Sequence, residues 1–172
     1  MIVIEGADGV GKTTLAKAIA KALNTEVRHM SRPEQGFDHM VGYMSRVGPH
    51  VQDRFHLGSV VYGRMLGAPG GSATPSQMRL VQRYLRWQGV ITVVLHCQRD
   101  TLKTRLREDA KDEMYGMDQI LAVNDGYKAL LGTSNRGEPW QDVNIDVTDR
   151  WPDIDDEVVQ SLIRRWRFTW NR

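Results

Sequence analysis

Apolar runs alternate along the chain with segments in which apolar residues recur every three or four positions. The predicted strands at 2–5 and 90–97 are almost wholly apolar, as strands covered on both faces should be. Residues 12–23 instead carry one apolar face and place Lys17 and Lys21 on the other, which predicts an amphipathic helix. Strands that alternate with helices favour an α/β fold, with a parallel β-sheet flanked by helices on both faces.

Further elements follow from the same patterns and from capping signals. The segment 74–77 combines an N-cap threonine, a proline at the first helical position and a glutamine at the third, so it predicts a helix start. The other predicted strands span 26–30, 50–55 and 143–147, and the predicted helices span 12–23, 37–47, 59–66, 75–88, 101–109, 117–131 and 155–166. The segments 31–36 and 67–73 are predicted loops.

The composition fits a single domain. The chain has 172 residues, of which 41% are hydrophobic, and this is enough to bury one sizeable core. Its formal net charge of +2 does not produce a strongly basic surface, so we do not expect nucleic acid as a partner. Cys97 is the only cysteine, which excludes an intramolecular disulfide. No apolar stretch approaches the ~18 residues of a membrane span, and we expect a cytoplasmic protein with no membrane partner.

The first loop carries the clearest chemical signal. Residues 6–13, Gly-Ala-Asp-Gly-Val-Gly-Lys-Thr, form a complete G-x-x-x-x-G-K-[ST] phosphate-binding loop between a predicted strand and a predicted helix. Glycines let backbone N–H groups face phosphate oxygens, Lys12 reaches the β- and γ-phosphates, and the Thr13 hydroxyl can ligate Mg²⁺. We therefore expect a bound nucleoside triphosphate. The expected binding residues are Asp8, Gly9, Val10, Gly11, Lys12, Thr13 and Thr14.

A second group of charged residues follows the predicted strand 50–55. Asp53 at a strand end near a phosphate-binding loop is suited to hold Mg²⁺, and the adjacent Arg54 can fork onto a phosphate. An ordinary surface ion pair is the alternative when Asp-Arg is considered alone. The surrounding residues, Asp53-Arg54-Phe55-His56-Leu57-Gly58-Ser59-Val60-Val61-Tyr62, favour the functional interpretation.

This segment resembles the D-R-[YF]-x-x-S-x-x-[AV]-[YF] motif of thymidylate kinases. The first loop is similar to that of the same family and also carries the family's acid, here Asp8. Ser31-Arg32-Pro33-Glu34 is similar to the family's arginine-containing loop, although more loosely. The resemblance covers most of the chain and implies a single P-loop NTPase domain at 1–172.

The resemblance also implies roles for individual residues. Asp8 would accept a hydrogen bond from the 3′-hydroxyl of the substrate sugar, Arg54 would bind the acceptor phosphate, and Asp53 would serve the magnesium. Arg32 would touch substrate phosphate, with a solvated loop arginine as the alternative. Phe37 would stack on the base or, alternatively, pack in the core. Tyr62 belongs to the motif, and Tyr115 would contact the acceptor nucleotide or simply pack.

The segment 105–117 occupies the position of the lid in nucleotide kinases. Basic side chains of the lid close over the transferring phosphate and exclude water. Arg105 and Arg107 are the candidates, because the arginine that some members carry in the first loop is replaced by Gly9. A mixed-charge helix surface is the alternative interpretation of this segment.

The chain departs from thymidylate kinases between Pro33 and Asp53, where it is shorter, and at Gly63. The base pocket is therefore rebuilt, and a preference for thymine is not implied. Taken together, the residues and the resemblance predict a deoxynucleoside monophosphate kinase that uses ATP and Mg²⁺, with catalysis assigned to Lys12, Asp53, Arg54, Arg105 and Arg107. The oligomeric state is open, and a homodimer is one alternative.

Three other functions remain open at this stage. A deoxynucleoside kinase would need a base for the 5′-hydroxyl, and Glu5 at the end of the first strand is available for this role. A kinase that acts on DNA ends or modified bases is the second, and a nucleotide-binding module without turnover is the third. No N-K-x-D motif of the guanine-binding switches is present in the sequence.

Overall fold

The structure is a computed structural model. It describes residues 1–31, 37–67, 73–108, 115–131, 134–135, 138–139, 142–151 and 153–170. Arg32, the central part of the predicted lid at 109–114 and most of the loops predicted at 31–36 and 67–73 lie outside these residues.

Five parallel strands form the central sheet. They are β1 (Ile2–Glu5), β2 (Val27–His29), β3 (Val51–Asp53), β4 (Ile91–His96) and β7 (Val143–Asp146). Their order across the sheet is β2-β3-β1-β4-β7. β5 (Ser134–Asn135) and β6 (Glu138–Pro139) form a separate antiparallel pair that the sequence patterns did not predict.

Seven helices occur in the described part of the chain. They are α1 (Lys12–Leu23), α2 (His39–Met44), α3 (His56–Leu66), α4 (Pro75–Trp87), α5 (Arg99–Glu108), α6 (Met117–Leu131) and α7 (Glu157–Trp170). The predicted capping box of α4 is present, because the Thr74 side chain accepts from Gln77 N–H and the Gln77 side chain accepts from Thr74 N–H. None of the described helices is long and apolar enough to cross a membrane.

The side chains of β1 alternate between two buried cores. Ile2 and Ile4 belong to a large core that also takes residues from α1, α5, α6 and α7. Val3 belongs to a second core, on which α2 and α4 pack. Apolar cores on both faces explain why β1 is apolar at every position before Glu5. The predicted α/β fold with helices on both faces of a parallel sheet is confirmed.

The sheet order places the functional segments together. β1 lies between β3 and β4, and its residues Ile4 and Glu5 are in register with Asp53 and Val94 respectively. The carboxyl ends of β1, β3 and β4 therefore meet at one edge of the sheet, and this is where ligands bind in open parallel sheets. The loop after β1 and the turn after β3 carry the two predicted motifs.

Candidate active site

The loop between β1 and α1 has the backbone geometry that phosphate binding requires. Gly6 has a φ of 146°, and a Cβ at this position would lie 2.5 Å from the carbonyl oxygen of Leu95 on β4. Gly11 has a φ of 87° and is the N-cap of α1. Only glycine adopts these conformations without strain, so the two outer glycines of the motif hold the loop close to the sheet and aim the N-terminus of α1 at the loop.

Lys12 is buried beside this loop. Its Nζ donates to the carbonyl oxygen of Ala7 at 2.5 Å and lies 3.4 Å from Asp8 Oδ1. Burial lowers the pKa of Lys12, while the nearby Asp8 and Asp53 carboxylates act in the opposite direction. The cation is therefore held within the loop, in the place where the negative charge of a phosphate would be neutralised.

Thr13 and Asp53, the two residues expected to serve Mg²⁺, are in contact with each other. The Thr13 hydroxyl donates to Asp53 Oδ2 at 2.6 Å. Asp53 is 1% exposed, and its Oδ1 is buried with no hydrogen-bond partner among the described residues. His29 at the end of β2 adds an Nδ1 atom at 3.5 Å from Asp53 Oδ2. A hydroxyl and a carboxylate with a free, buried oxygen are the hard oxygen ligands that suit Mg²⁺.

No cluster of three or more His, Cys, Asp or Glu side chains able to hold a metal occurs in the described part of the chain. At phosphate-transfer sites Mg²⁺ is usually held by one or two protein ligands, and substrate phosphates and water complete its coordination.

Arg54, from the Asp-Arg motif after β3, contacts the phosphate-binding loop through Asp8. Its guanidinium Nη2 forms a close ion pair with Asp8 Oδ1. Tyr62 on α3 donates to the other oxygen of Asp8 at 3.3 Å. Burial acts to raise the pKa of Asp8, but the charges of Lys12 and Arg54 outweigh it and hold that pKa below its ordinary value. Asp8 is therefore an ionised carboxylate between two cations.

The backbone of Arg54 is in the left-handed region, with a φ of 63°. Such a conformation costs a non-glycine residue about 1 kcal/mol and persists only where the surroundings enforce it. The Arg54 N–H donates to the Ile4 carbonyl at 3.0 Å, and the Gln52 side chain donates to the Arg54 carbonyl at 3.0 Å. Gln52 is a residue that the sequence reasoning missed, and its only signal is an amide within a buried strand.

Glu5 holds the other side of the same turn. It is fully buried, and its Oε1 accepts from the backbone N–H groups of Phe55 at 3.1 Å, Leu57 at 2.8 Å and Gly58 at 3.3 Å. Tyr127 on α6 donates to its Oε2 at 3.0 Å. The sequence made Glu5 available as the base of a deoxynucleoside kinase. In this structure both of its carboxylate oxygens accept hydrogen bonds, and Glu5 caps the N-terminus of α3 from inside the protein.

This cap also explains an error in the predicted elements. The sequence places the start of α3 at Ser59, whereas the helix begins at His56. Phe55 precedes the helix and provides no side-chain cap. The carboxylate that satisfies the first N–H groups comes from β1, about 50 positions earlier, so a local capping signal could not indicate it.

Two aromatic residues from the prediction lie in different places. Tyr115 packs against Tyr62, with ring centroids 5.6 Å apart, and so lies next to the residue that contacts Asp8. Phe37 packs edge-on against His39 and Tyr43 and lies directly on Gly42. Phe37 is thus partly buried and packs against the second core, which favours the packing alternative that the sequence left open.

Arg105 does not occupy the position expected of a lid arginine. It is 9% exposed, and its Nη2 donates to the carbonyl oxygens of Val147 at 2.6 Å and Arg150 at 3.3 Å. The ring of Trp151 covers its guanidinium, with Cζ 4.0 Å from the ring centroid. We correct the prediction accordingly, since in this arrangement Arg105 holds the loop after β7 and is not free to close over a phosphate. Arg107, in contrast, is exposed near the end of α5.

Helix α5 also packs against the phosphate-binding loop. A Cβ at Gly9 would lie 3.0 Å from both Leu102 Cδ1 and Leu106 Cδ2, and Gly9 has a φ of 78°. The arginine that some thymidylate kinases carry there would strain the backbone at Gly9 and displace both leucine side chains. Val10 is fully buried beneath the loop, whereas Thr13 and Thr14 are exposed.

Comparisons with known proteins agree with this geometry. Residues 2–57, less than half of the chain, match the model of the ATPase family associated with various cellular activities (AAA). The match includes both the phosphate-binding loop and the Asp53-Arg54 pair. No curated protein matches the chain.

Solved structures match over nearly the whole chain. The YorR protein from Bacillus subtilis, in complex with phosphorylated GDP, is 21% identical with a TM-score of 0.71, and the match covers 95% of this chain and 93% of that protein. A gluconokinase from Sinorhizobium meliloti is 15% identical with a TM-score of 0.57, covering 99% and 93%. The deoxyadenosine kinase of M. mycoides with bound dATP is 14% identical with a TM-score of 0.54, covering 95% and 97%.

The chain has a P-loop NTPase fold. The loop geometry, the parallel sheet and the structural matches together support this statement. At these identities the matches concern the fold alone, since one fold hosts many activities.

Proposed function

We propose that the chain is a kinase that transfers the γ-phosphoryl group of ATP to a deoxynucleoside monophosphate, giving a deoxynucleoside diphosphate and ADP. The observation that carries the proposal is the ion pair of Arg54 with Asp8 beside Lys12. It brings a second cation, from a different strand end, next to the cation of the phosphate-binding loop. Two cations at one point fit a reaction in which two phosphate-bearing substrates must meet.

Each residue has a role in this proposal. Lys12 and the N-terminus of α1 would neutralise the β- and γ-phosphates of ATP, and Arg54 would hold the phosphate of the acceptor. Asp8 would accept a hydrogen bond from the acceptor sugar, with Tyr62 and Tyr115 next to it. Thr13 and Asp53 would hold Mg²⁺, which supplies neutralisation of phosphate charge when it is bound. Arg32 remains a proposed phosphate contact and Arg107 a proposed lid residue.

The comparisons support a nucleotide-using kinase without identifying the acceptor. Proteins of the same fold are described with phosphorylated GDP or dATP bound, and two of them are kinases. The resemblance to thymidylate kinases supplies the choice of a monophosphate acceptor, and it rests on the two specific motifs at 5–14 and 53–62. The deoxynucleoside kinase alternative needs a base, and Glu5 was the candidate. Its carboxylate accepts hydrogen bonds from four donors, which weakens the support for that alternative.

ADP formation from ATP and Mg²⁺ tests the proposal, with the four common deoxynucleoside monophosphates, deoxyuridylate, the matching nucleosides and a short DNA as acceptors. We expect turnover with at least one monophosphate and none with nucleosides. Lys12→Met should lower kcat by about 100-fold or more, because it removes positive charge at the transferring phosphoryl group. Equal ADP formation with and without every acceptor would contradict a kinase, and turnover with a nucleoside alone would favour the alternative.

A further inference from the structure

The turn at 53–58, which runs from the last residue of β3 into the first turn of α3, is held from two sides by buried polar side chains. Gln52 donates to the Arg54 carbonyl at 3.0 Å and lies 3.4 Å from the Asp53 carbonyl. Glu5 accepts from three N–H groups on the other side of the turn. The turn contains a strained residue, Arg54, and an N-cap residue, Phe55, that offers no side-chain cap. Local sequence therefore does not enforce its shape, and the two buried side chains do.

We infer that Glu5 is a positioning residue that sets the turn at 53–58, and with it the reach of Arg54 toward the acceptor phosphate, by capping α3 from β1. The inference rests on the proposed function for its substrate. Glu5 does not touch Arg54 itself. It acts through the backbone of Phe55, Leu57 and Gly58, and so places the residues just before them.

The chemistry of the cap requires an acceptor, and a negative charge adds to its strength. The N-terminus of a helix carries partial positive charge from its unsatisfied N–H groups, so a carboxylate there is favoured. The charged or titratable groups that act on Glu5 are Tyr127 on α6, Lys12 on α1, Tyr62 on α3 and Tyr43 on α2. The charge of Lys12 and the hydrogen bonds from Tyr127, Leu57 and Gly58 act to lower the pKa of Glu5. Burial nevertheless raises the pKa of Glu5 to about 7.

Protonation of Glu5 near pH 7 would therefore weaken the cap within the working range of an enzyme. The wild type should lose acceptor affinity as the pH falls through about 7. A monophosphate acceptor also gains a proton at a pKa of about 6. The loss of acceptor affinity of the wild type at low pH therefore has two contributions, one from Glu5 and one from the acceptor itself. A Glu5→Gln variant separates the two contributions, because glutamine accepts hydrogen bonds without titrating.

The test compares Glu5→Gln with Glu5→Met, which has a similar length but no acceptor. At pH 8 we expect Glu5→Met to raise the acceptor KM by about tenfold or more, with a smaller change in the KM for ATP, as the loss of a cap predicts. Glu5→Gln should raise the acceptor KM by less than Glu5→Met does. Its acceptor KM should also no longer change with pH near pH 7, and only the change near the pKa of the acceptor should remain. Glu26→Gln, a neutralised exposed carboxylate, is the matched control.

Two kinetic outcomes would overturn the inference. An unchanged acceptor KM in Glu5→Met would show that the cap does not position Arg54. A loss of kcat of about 100-fold in Glu5→Gln, equal to that in Glu5→Met, would instead mark Glu5 as a proton-accepting base. A loss of folded protein alone lowers the apparent kcat and leaves KM unchanged, so it is distinguished from both.

Amide hydrogen exchange keeps this test separate from the proposed function. If the wild type transfers phosphate to no monophosphate, the proposed function fails, and the cap is judged on the exchange rates of the Phe55, Leu57 and Gly58 amides at pH 8. We expect these amides to be protected in the wild type and in Glu5→Gln, and to lose protection in Glu5→Met. Unchanged protection in Glu5→Met would overturn the inference. If Glu5→Met does not fold, the test rests on Glu5→Gln, and a loss of protection of these three amides in that variant would overturn the inference.

Discussion

Asp8 illustrates how the site is assembled at the scale of single residues. Its carboxylate meets Lys12 from the same loop, Arg54 from the end of β3, and Tyr62 from α3. The sequence predicted Asp8, Lys12, Arg54 and Tyr62 because each belongs to a motif of adjacent residues. It could not indicate Gln52, or the capping role of Glu5, because their partners are backbone groups whose position depends on the folded turn.

Glu5 should make stability depend on pH. Its pKa rises from the ordinary value of 4.5 to about 7 in the folded chain because it is buried. Between these values the folded state keeps a proton that the unfolded state has released. The stabilising effect of the neutral form is therefore complete below pH 4.5 and is lost as the pH rises through 7.

Glu5→Gln should consequently be more stable than the wild type at pH 8, by up to about 3 kcal/mol, because glutamine carries no charge to bury. The free energy of unfolding from urea denaturation at pH 8 and at pH 4.5 measures this, and the advantage should shrink at the lower pH. Glu26→Gln should show no such pH-dependent gain. A gain in the free energy of unfolding of Glu5→Gln that is equal at pH 8 and at pH 4.5 would contradict the raised pKa of Glu5.

At the scale of elements, prediction succeeds where the signals are local. The bounds of β1, α1 and α6 agree with the sequence prediction, and α4 differs by one residue at its end. Each of these has a strong apolar face, a cap or a glycine-containing boundary within a few positions. The start of α3 and the ends of α2 and α7 were mispredicted, and the pair of β5 and β6 was not predicted. The start of α3 depends on Glu5, a contact that is distant in sequence.

Gly126 shows how closely α3 and α6 pack. A Cβ at this position would lie 2.8 Å from Val61 Cγ1, so the Val61 side chain or one of the two helices would have to shift. We expect Gly126→Ala to destabilise the protein by about 1–3 kcal/mol, even though alanine favours helices more than glycine does. Thermal denaturation would detect the loss. Gly116→Ala is the control, because nothing lies within 4 Å of the added Cβ, and equal effects of the two variants would contradict the packing argument.

Helix α5 carries two arginines that the sequence treated alike and the fold separates. Arg105 is buried against the loop after β7, while Arg107 is exposed. Arg105→Ala should lower stability by about 1–3 kcal/mol, because it leaves the buried Val147 carbonyl without this donor. Arg107→Ala should have little effect on stability, as is usual at exposed positions. Chemical denaturation of both variants measures this, and a stable Arg105→Ala with selectively lost turnover would restore the lid interpretation.

At the scale of the whole molecule, the fold was predictable because its signals are redundant. Alternating strands and helices, an apolar first strand and a complete phosphate-binding loop all favour the same architecture. The functional assignment has a narrower basis. The sheet order brings two motifs to one edge, and their charges suit phosphate transfer. The chain departs most from thymidylate kinases, however, in the segment that the resemblance would assign to recognition of the acceptor.

Identification of the labelled product tests the central claim most directly. ATP labelled at the γ-phosphate would be incubated with Mg²⁺, the protein and each deoxynucleoside monophosphate, and the labelled species separated. The account predicts label in a deoxynucleoside diphosphate, with a large loss in Lys12→Met. Label only in inorganic phosphate, or in a monophosphate formed from an added nucleoside, would contradict it.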